Sequence, residues 1–175
     1  MPSPDAPSEF ERLVKGELPV LFRVARRMGA TSEEAEDLVQ TTLVKAYGAW
    51  KGFDGRYLRS WLIRILRNER LMALRSEKPE SSLDDGREVV IAEGPFWDDL
   101  TWRLEAQRVL KELETLPDIY QIAIQLIDVE QMSYEEAAEA MEVPIGTVRS
   151  RLFRGREMLR NKMASLVDSR TEVRP

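Results

Sequence analysis

Neither cysteine nor histidine occurs among the 175 residues. The first absence excludes disulfides, thiol redox sensing and thiolate metal sites. The second removes imidazole ligands and the commonest general base. Carboxylates or a serine–lysine pair remain for catalysis, but no such constellation stands out and no glycine-rich phosphate loop occurs. Neither enzyme activity nor a metal or other cofactor is therefore expected. No run of eighteen apolar residues is present, so no membrane insertion through a spanning helix is expected. Met1–Pro7 lacks the basic and apolar segments of a signal peptide, which points to a cytoplasmic protein. Strand-like alternation of any length is missing too, while helical periodicity is nearly continuous. The expected fold is all-α.

Hydrophobic residues make up 43% of the chain, enough to bury a core in one domain or two small ones. The pattern divides into two small helical domains, 1–75 and 100–175, joined by an acidic flexible linker at 76–99. Pro79, Ser81, Ser82, Gly86, Gly94 and Pro95 mark that linker, and Val89–Ile91 is its apolar island. Its eight carboxylates against Lys78 and Arg87 sum to −6, more than the whole-chain net charge of −5. The stretch Pro144–Met163 instead sets Arg149, Arg151, Arg154, Arg156, Arg160 and Lys162 against Glu157 alone. Local field, screened over about 10 Å at 0.1 M salt, governs phosphate attraction, so an acidic chain can still carry a nucleic-acid-binding helix.

That stretch ends a helix-turn-helix pattern. Ser133 and Glu136 fit a capping box, and Ala137, Ala138 and Met141 give the first helix a small apolar face. Val143-Pro144 ends it and starts the next, since proline is tolerated at a first helical position. In the second helix Ile145, Val148, Leu152, Leu159 and Met163 keep the helical period. Thr147, Ser150, Phe153 and Arg154 fall away from that stripe, with Arg149 and Arg151 on its flanks. This is the layout of a helix that offers donors to a major groove; the plainer alternative is an amphipathic hairpin with a solvated arginine face. Gly155 inside the helix costs about 1 kcal/mol relative to alanine, which predicts close packing against a neighbouring helix.

In the first domain, Leu13, Leu18, Leu21, Val24, Ala25 and Met28 form an apolar face interrupted by Gly16 and Pro19, hence a kinked helix or a helix pair. Thr31 and Glu34 fit another capping box, opening a helix on which Ala35, Leu38, Val39, Thr42 and Ala46 share a face. After the turn at 51–55, Leu58, Trp61, Leu62 and Ile65 predict a third helix. Arg64, Arg67, Asn68 and Arg75 fall on one side of it, with Phe53 and Tyr57 beside the turn. Cations next to aromatics suit single-stranded nucleic acid, whose backbone is held by charge and whose unstacked bases find a π-face. The same residues also fit an ordinary core with solvated arginines.

Pro144–Arg156, extended upstream through Leu116-Pro117-Asp118, resembles the promoter-reading helix of extracytoplasmic-function (ECF) sigma factors of bacterial RNA polymerase. Asp37-Leu-Val-Gln40 with Leu43 and Tyr47, then Trp61–Ile65 and Asn68, resembles the second conserved region of the same family, so the likeness covers most of the chain. It departs from the usual pattern at Phe153 (histidine), Gly155 (alanine), Thr41 (acidic) and Met72 (aspartate). The resemblance implies a factor that binds core polymerase, melts promoters and directs initiation without catalysis of its own. It implies that Asp37, Gln40, Thr41 and Tyr47 dock on the clamp helices of the largest subunit. Phe53, Tyr57, Arg64, Arg67, Asn68 and Arg75 would hold the single-stranded minus-ten element. Thr147, Ser150, Arg151 and Arg154 would face base edges of the minus-thirty-five element, with Arg149 and Arg156 on phosphates and Phe153 also at the DNA. The acidic linker would reach a basic polymerase channel, and an anti-sigma factor is a common partner of the family. Two alternatives follow from the residues: a dimeric helix-turn-helix regulator of duplex operators, and an enzyme with a DNA-binding tail. The first leaves the docking face unexplained, and the second lacks a catalytic constellation.

Overall fold

The computed structural model describes residues 8–77 and 106–171, which belong to two compact units. Every regular element among them is helical, and none is long and apolar enough to cross a membrane.

The first unit begins with a helix pair, α1 (Glu9–Lys15) and α2 (Leu18–Arg27), broken at Gly16 as the sequence predicts. A Ser8–Glu11 capping box starts α1. Pro19 falls in the first turn of α2, where its missing N–H costs nothing. Gly29, at φ 77, closes α2 in the left-handed conformation. The Ala30 and Gly29 N–H groups then donate back to the carbonyls of Ala25 and Arg26, which stops the helix. The predicted Thr31–Glu34 box opens α3 (Ser32–Ala49) with bonds of 2.7 and 3.2 Å. A short 3₁₀ turn (Trp50–Gly52) and a loop lead to α4 (Leu58–Glu77).

The core of this unit is built from Val20, Leu21, Val24 and Ala25 of α2, Ala35, Val39 and Ala46 of α3, and Leu62, Ile63 and Leu66 of α4. Two details correct the sequence reading. Leu13 is 48% exposed, and α4 turns Ile63 and Leu66 fully inward, while Leu58, Trp61 and Ile65 are only half-buried. The helical period is right but the centre of its buried stripe is rotated, because α4 is covered by both α2 and α3.

Residues 106–171 form α5 (Ala106–Leu113), α6 (Asp118–Ile124), α7 (Tyr134–Met141) and α8 (Ile145–Thr171). Pro117 caps α6, which runs on into a single π-helical stretch, Gln125–Val129. The Glu130 N–H reaches the Gln125 carbonyl, a five-residue span that marks this widening. Leu113, Leu116, Ile122, Leu126, Val148, Leu152, Leu159 and Met163 are buried. Ile145, expected in that stripe, is 37% exposed. The linker expected at 76–99, with its apolar island, lies outside the described residues apart from the end of α4.

Candidate nucleic-acid interface

The helix-turn-helix is present as read. Ser133 and Glu136 cap α7 reciprocally at 3.1 and 2.8 Å. Glu142 takes the left-handed conformation at φ 55, a position where glycine is usual. The Val143 N–H donates to the Ala138 carbonyl and closes α7, and Pro144 releases α8.

Gly155 meets the expectation of close packing. A Cβ placed there would lie 3.0 Å from Ile124 Cδ1 and 3.1 Å from Tyr120 Cβ, so α6 and α8 pack so closely that these neighbours would have to give by a few tenths of an ångström.

The outward residues of α8 do not share one environment. Phe153 is 39% exposed and faces solvent, Arg154 and Thr147 are half-exposed, and Arg154 makes no ion pair among the described residues. Arg151 is half-exposed and partnered within the protein. Arg149 lies over the Tyr134 ring, its guanidinium carbon 5.2 Å from the centroid. Two residues are placed otherwise than expected. Ser150 is only 7% exposed, and its hydroxyl donates to the Thr147 carbonyl at 3.0 Å, so it is not offered to a groove. Arg156 is clamped on Asp128 at 2.6 and 3.2 Å. The Asp128 side chain is 4% exposed, and a carboxylate buried that deeply needs its cation. Arg156 thus ties α8 to the π-helical stretch and is not free for a phosphate. Sequence reading missed this because its partner belongs to another element.

In the first unit, Asp37, Gln40, Thr41, Val44 and Tyr47 are exposed along one stripe of α3, opposite buried Ala35, Val39, Thr42 and Ala46. Val44 is 73% exposed and escaped the sequence reading, although its spacing from Gln40 and Tyr47 places it on the same stripe. Tyr47 is 65% exposed while meeting Phe10 edge-on at 5.3 Å.

The loop before α4 separates its two aromatics. Phe53 is packed with Trp50 and Trp61, centroids 5.2 and 4.8 Å away and both nearly parallel, and Trp50 meets Phe10 edge-on. Phe53 therefore belongs to a structural ring cluster. Tyr57 stands outside that cluster, 49% exposed, at φ 49. Gly55 at φ 80 and an Asp54 carboxylate that accepts the Arg56 N–H at 2.9 Å shape the turn. That backbone bond holds the Asp54 carboxyl below the usual aspartate range. Arg64, Arg67, Asn68 and Arg75 follow along α4, with Asn68 and Arg75 exposed.

A helix-turn-helix with arginines on its outward side, in a chain whose other helical unit carries an exposed stripe, has the layout of a DNA-binding protein. Comparison with known proteins agrees. Residues 13–80 match Sigma-70 region 2, and residues 106–159 match Sigma-70 region 4. ECF RNA polymerase sigma factor SigW of Bacillus subtilis is 31% identical over 157 residues, covering 83% of this chain and 84% of that protein. The ECF sigma-E factor of Escherichia coli K12 is 33% identical over 147 residues, covering 78% and 77%. The structure of the sigma factor RpoE of Bartonella quintana, in complex with the anti-sigma factor NepR, aligns with a TM-score of 0.68 at 31% identity. It covers 89% of this chain and 97% of its own. CnrH, in complex with the cytosolic domain of CnrY, aligns at 0.62 and 26% identity, covering 91% and 88%. The chain belongs to the ECF sigma factors of RNA polymerase.

Proposed function

We propose that this ECF sigma factor divides promoter work between its two units, with boundaries near 1–75 and 100–175. As a member of its family it binds core polymerase, recognises and melts promoters, and directs initiation. The α3 stripe of Asp37, Gln40, Thr41, Val44 and Tyr47 docks on the clamp helices of the largest subunit. Tyr57 and Asn68 capture an unpaired minus-ten base while Arg64, Arg67 and Arg75 attract the strand. In the second unit Thr147, Arg151, Phe153 and Arg154 face minus-thirty-five base edges, and Arg149 faces a phosphate. The protein works where the polymerase does, in the cytoplasm. RpoE is seen with the anti-sigma factor NepR and CnrH with the cytosolic domain of CnrY, and a partner of the anti-sigma kind would suit the exposed α3 stripe here.

The exposed α3 stripe, in a unit separate from the helix-turn-helix, is the observation that carries this reading. A dimeric operator binder has no use for it. Within the minus-ten site the choice of Tyr57 over Phe53 rests on exposure, since the Phe53 ring is already engaged by two tryptophans.

The test uses core polymerase, the full chain and a promoter selected from a randomised duplex pool. Base capture is worth about 1–3 kcal/mol, so Tyr57→Ala with Asn68→Ala reduces permanganate-reactive open complex on duplex DNA. A template mismatched across the bubble recovers most transcription, because unpairing is no longer required. An equal defect on both templates would assign the pair to folding or docking.

A further inference from the structure

We infer that Tyr134 is a positioning residue for promoter binding, holding the Arg149 guanidinium by its face where the upstream DNA backbone passes. The inference rests on the DNA-facing role proposed for α8.

Tyr134 is the first residue of α7, directly after the Ser133 cap. The reciprocal Ser133–Glu136 bonds fix the backbone from which its ring projects. Arg149 stands in the second turn of α8, so the 5.2 Å contact joins the two helices of the helix-turn-helix. The Arg149 guanidinium makes no hydrogen bond or ion pair among the described residues.

The contrast with Arg156 shows what a ring does that a carboxylate does not. Asp128 takes two N–H donors of Arg156 and neutralises it. An aromatic face attracts a cation through its quadrupole without neutralising it as a carboxylate does, and a guanidinium has five N–H donors to offer. Arg149 is therefore oriented without losing its charge or its donors. A phosphate then meets an arginine whose rotamer freedom is already reduced, which lowers the ordering cost of binding. The ring face carries this effect, and the phenolic hydroxyl is not required for it.

The experiment measures promoter affinity of the holoenzyme against salt, again on a duplex selected from a randomised pool. Arg149→Ala is expected to lower the slope of log affinity against log salt by about 0.9, as loss of one phosphate contact does. Tyr134→Phe is expected to bind like the parent. Tyr134→Leu is expected to weaken binding about two- to five-fold when Arg149 is present, and not at all in the Arg149→Ala background. Where leucine perturbs folding, trifluorophenylalanine at 134, compared with phenylalanine, keeps the ring shape and withdraws its π density; it is expected to weaken binding only with Arg149 present. Equal losses from Tyr134→Leu in both backgrounds, or a loss in Tyr134→Phe, overturn the inference while the phosphate role of Arg149 stands. An unchanged affinity and salt slope in Arg149→Ala overturn the DNA-facing role of that residue, and the positioning role with it.

Discussion

In α4, Arg59 is tied to Glu17 at 2.7 Å and Arg70 reaches the Met28 carbonyl at 3.4 Å. In α8, Arg156 is clamped on Asp128, whereas Arg149 rests on a ring and Arg154 makes no ion pair among the described residues. Both helices are rich in arginine, and in both some arginines fasten the helix to its own unit. The comparison shows that abundance of a cation on one helix does not identify the binders. On the proposed function the partner separates them: a buried carboxylate or a helix-end carbonyl makes a fastener, and a ring face or solvent leaves a guanidinium for phosphate or base.

The largest expected effect breaks the fastener. Arg156→Ala leaves Asp128 buried without its cation and destabilises the second unit by about 3–5 kcal/mol, measured by urea denaturation followed by circular dichroism. Adding Asp128→Asn is expected to return much of that loss, since the uncompensated charge is gone. A stability change within error for the single variant would place Arg156 back among the phosphate binders.

Arg154→Ala should behave in the opposite way. Stability is expected to stay constant, while preference at one base pair of the upstream element relaxes by about 1–3 kcal/mol. Holoenzyme binding to promoters varied one pair at a time reads this directly. A uniform loss at every sequence would move Arg154 from base reading to backbone contact.

Gly155 sharpens the comparison at the contact between α6 and α8. Alanine gains about 1 kcal/mol of helix propensity, but its Cβ meets Ile124 Cδ1 at 3.0 Å and Tyr120 Cβ at 3.1 Å. Overpacking costs about 1–3 kcal/mol, so a net loss on the order of 1 kcal/mol is expected. Ile124→Val removes the nearer methyl, and it should make Gly155→Ala less costly than in the parent when the double variant is melted.

The smallest effect concerns the capping box of α3. The Glu34 carboxyl accepts the Thr31 N–H at 2.7 Å, which holds its pKa below the ordinary value of 4.5. A depressed carboxylate contributes stability that is fully present above 4.5 and lost as pH falls through the lower folded value. Glu34→Gln should therefore reduce the melting temperature slightly at pH 7, and the difference from the parent should shrink below pH 4.5. A difference independent of pH would show that the charge plays no part.

Local signals decided a large part of this molecule before any tertiary contact. The Thr31–Glu34 and Ser133–Glu136 boxes, the break at Gly16 and Pro19, and the Val143-Pro144 turn are all present where the sequence places them. The Ser8–Glu11 box carries the same signature but was not read from the sequence. Caps and helical periods act over three or four residues, so neighbours in sequence suffice to set them. The family resemblance singled out α3 and α8 by the same local patterns.

Tertiary structure alone decided the depth of each apolar residue and the partner of each arginine. Ile63 and Leu66 became the inner side of α4 because two helices cover it. Phe53 became a structural ring because Trp50 and Trp61 meet it, and that left Tyr57 as the loop's exposed aromatic. Arg156 became a fastener because a π-helical stretch brings Asp128 to it, while Tyr134 claimed Arg149 across the turn. Burial and pairing depend on which elements come together in space, and a chain read residue by residue carries the period of a helix without the identity of what covers it.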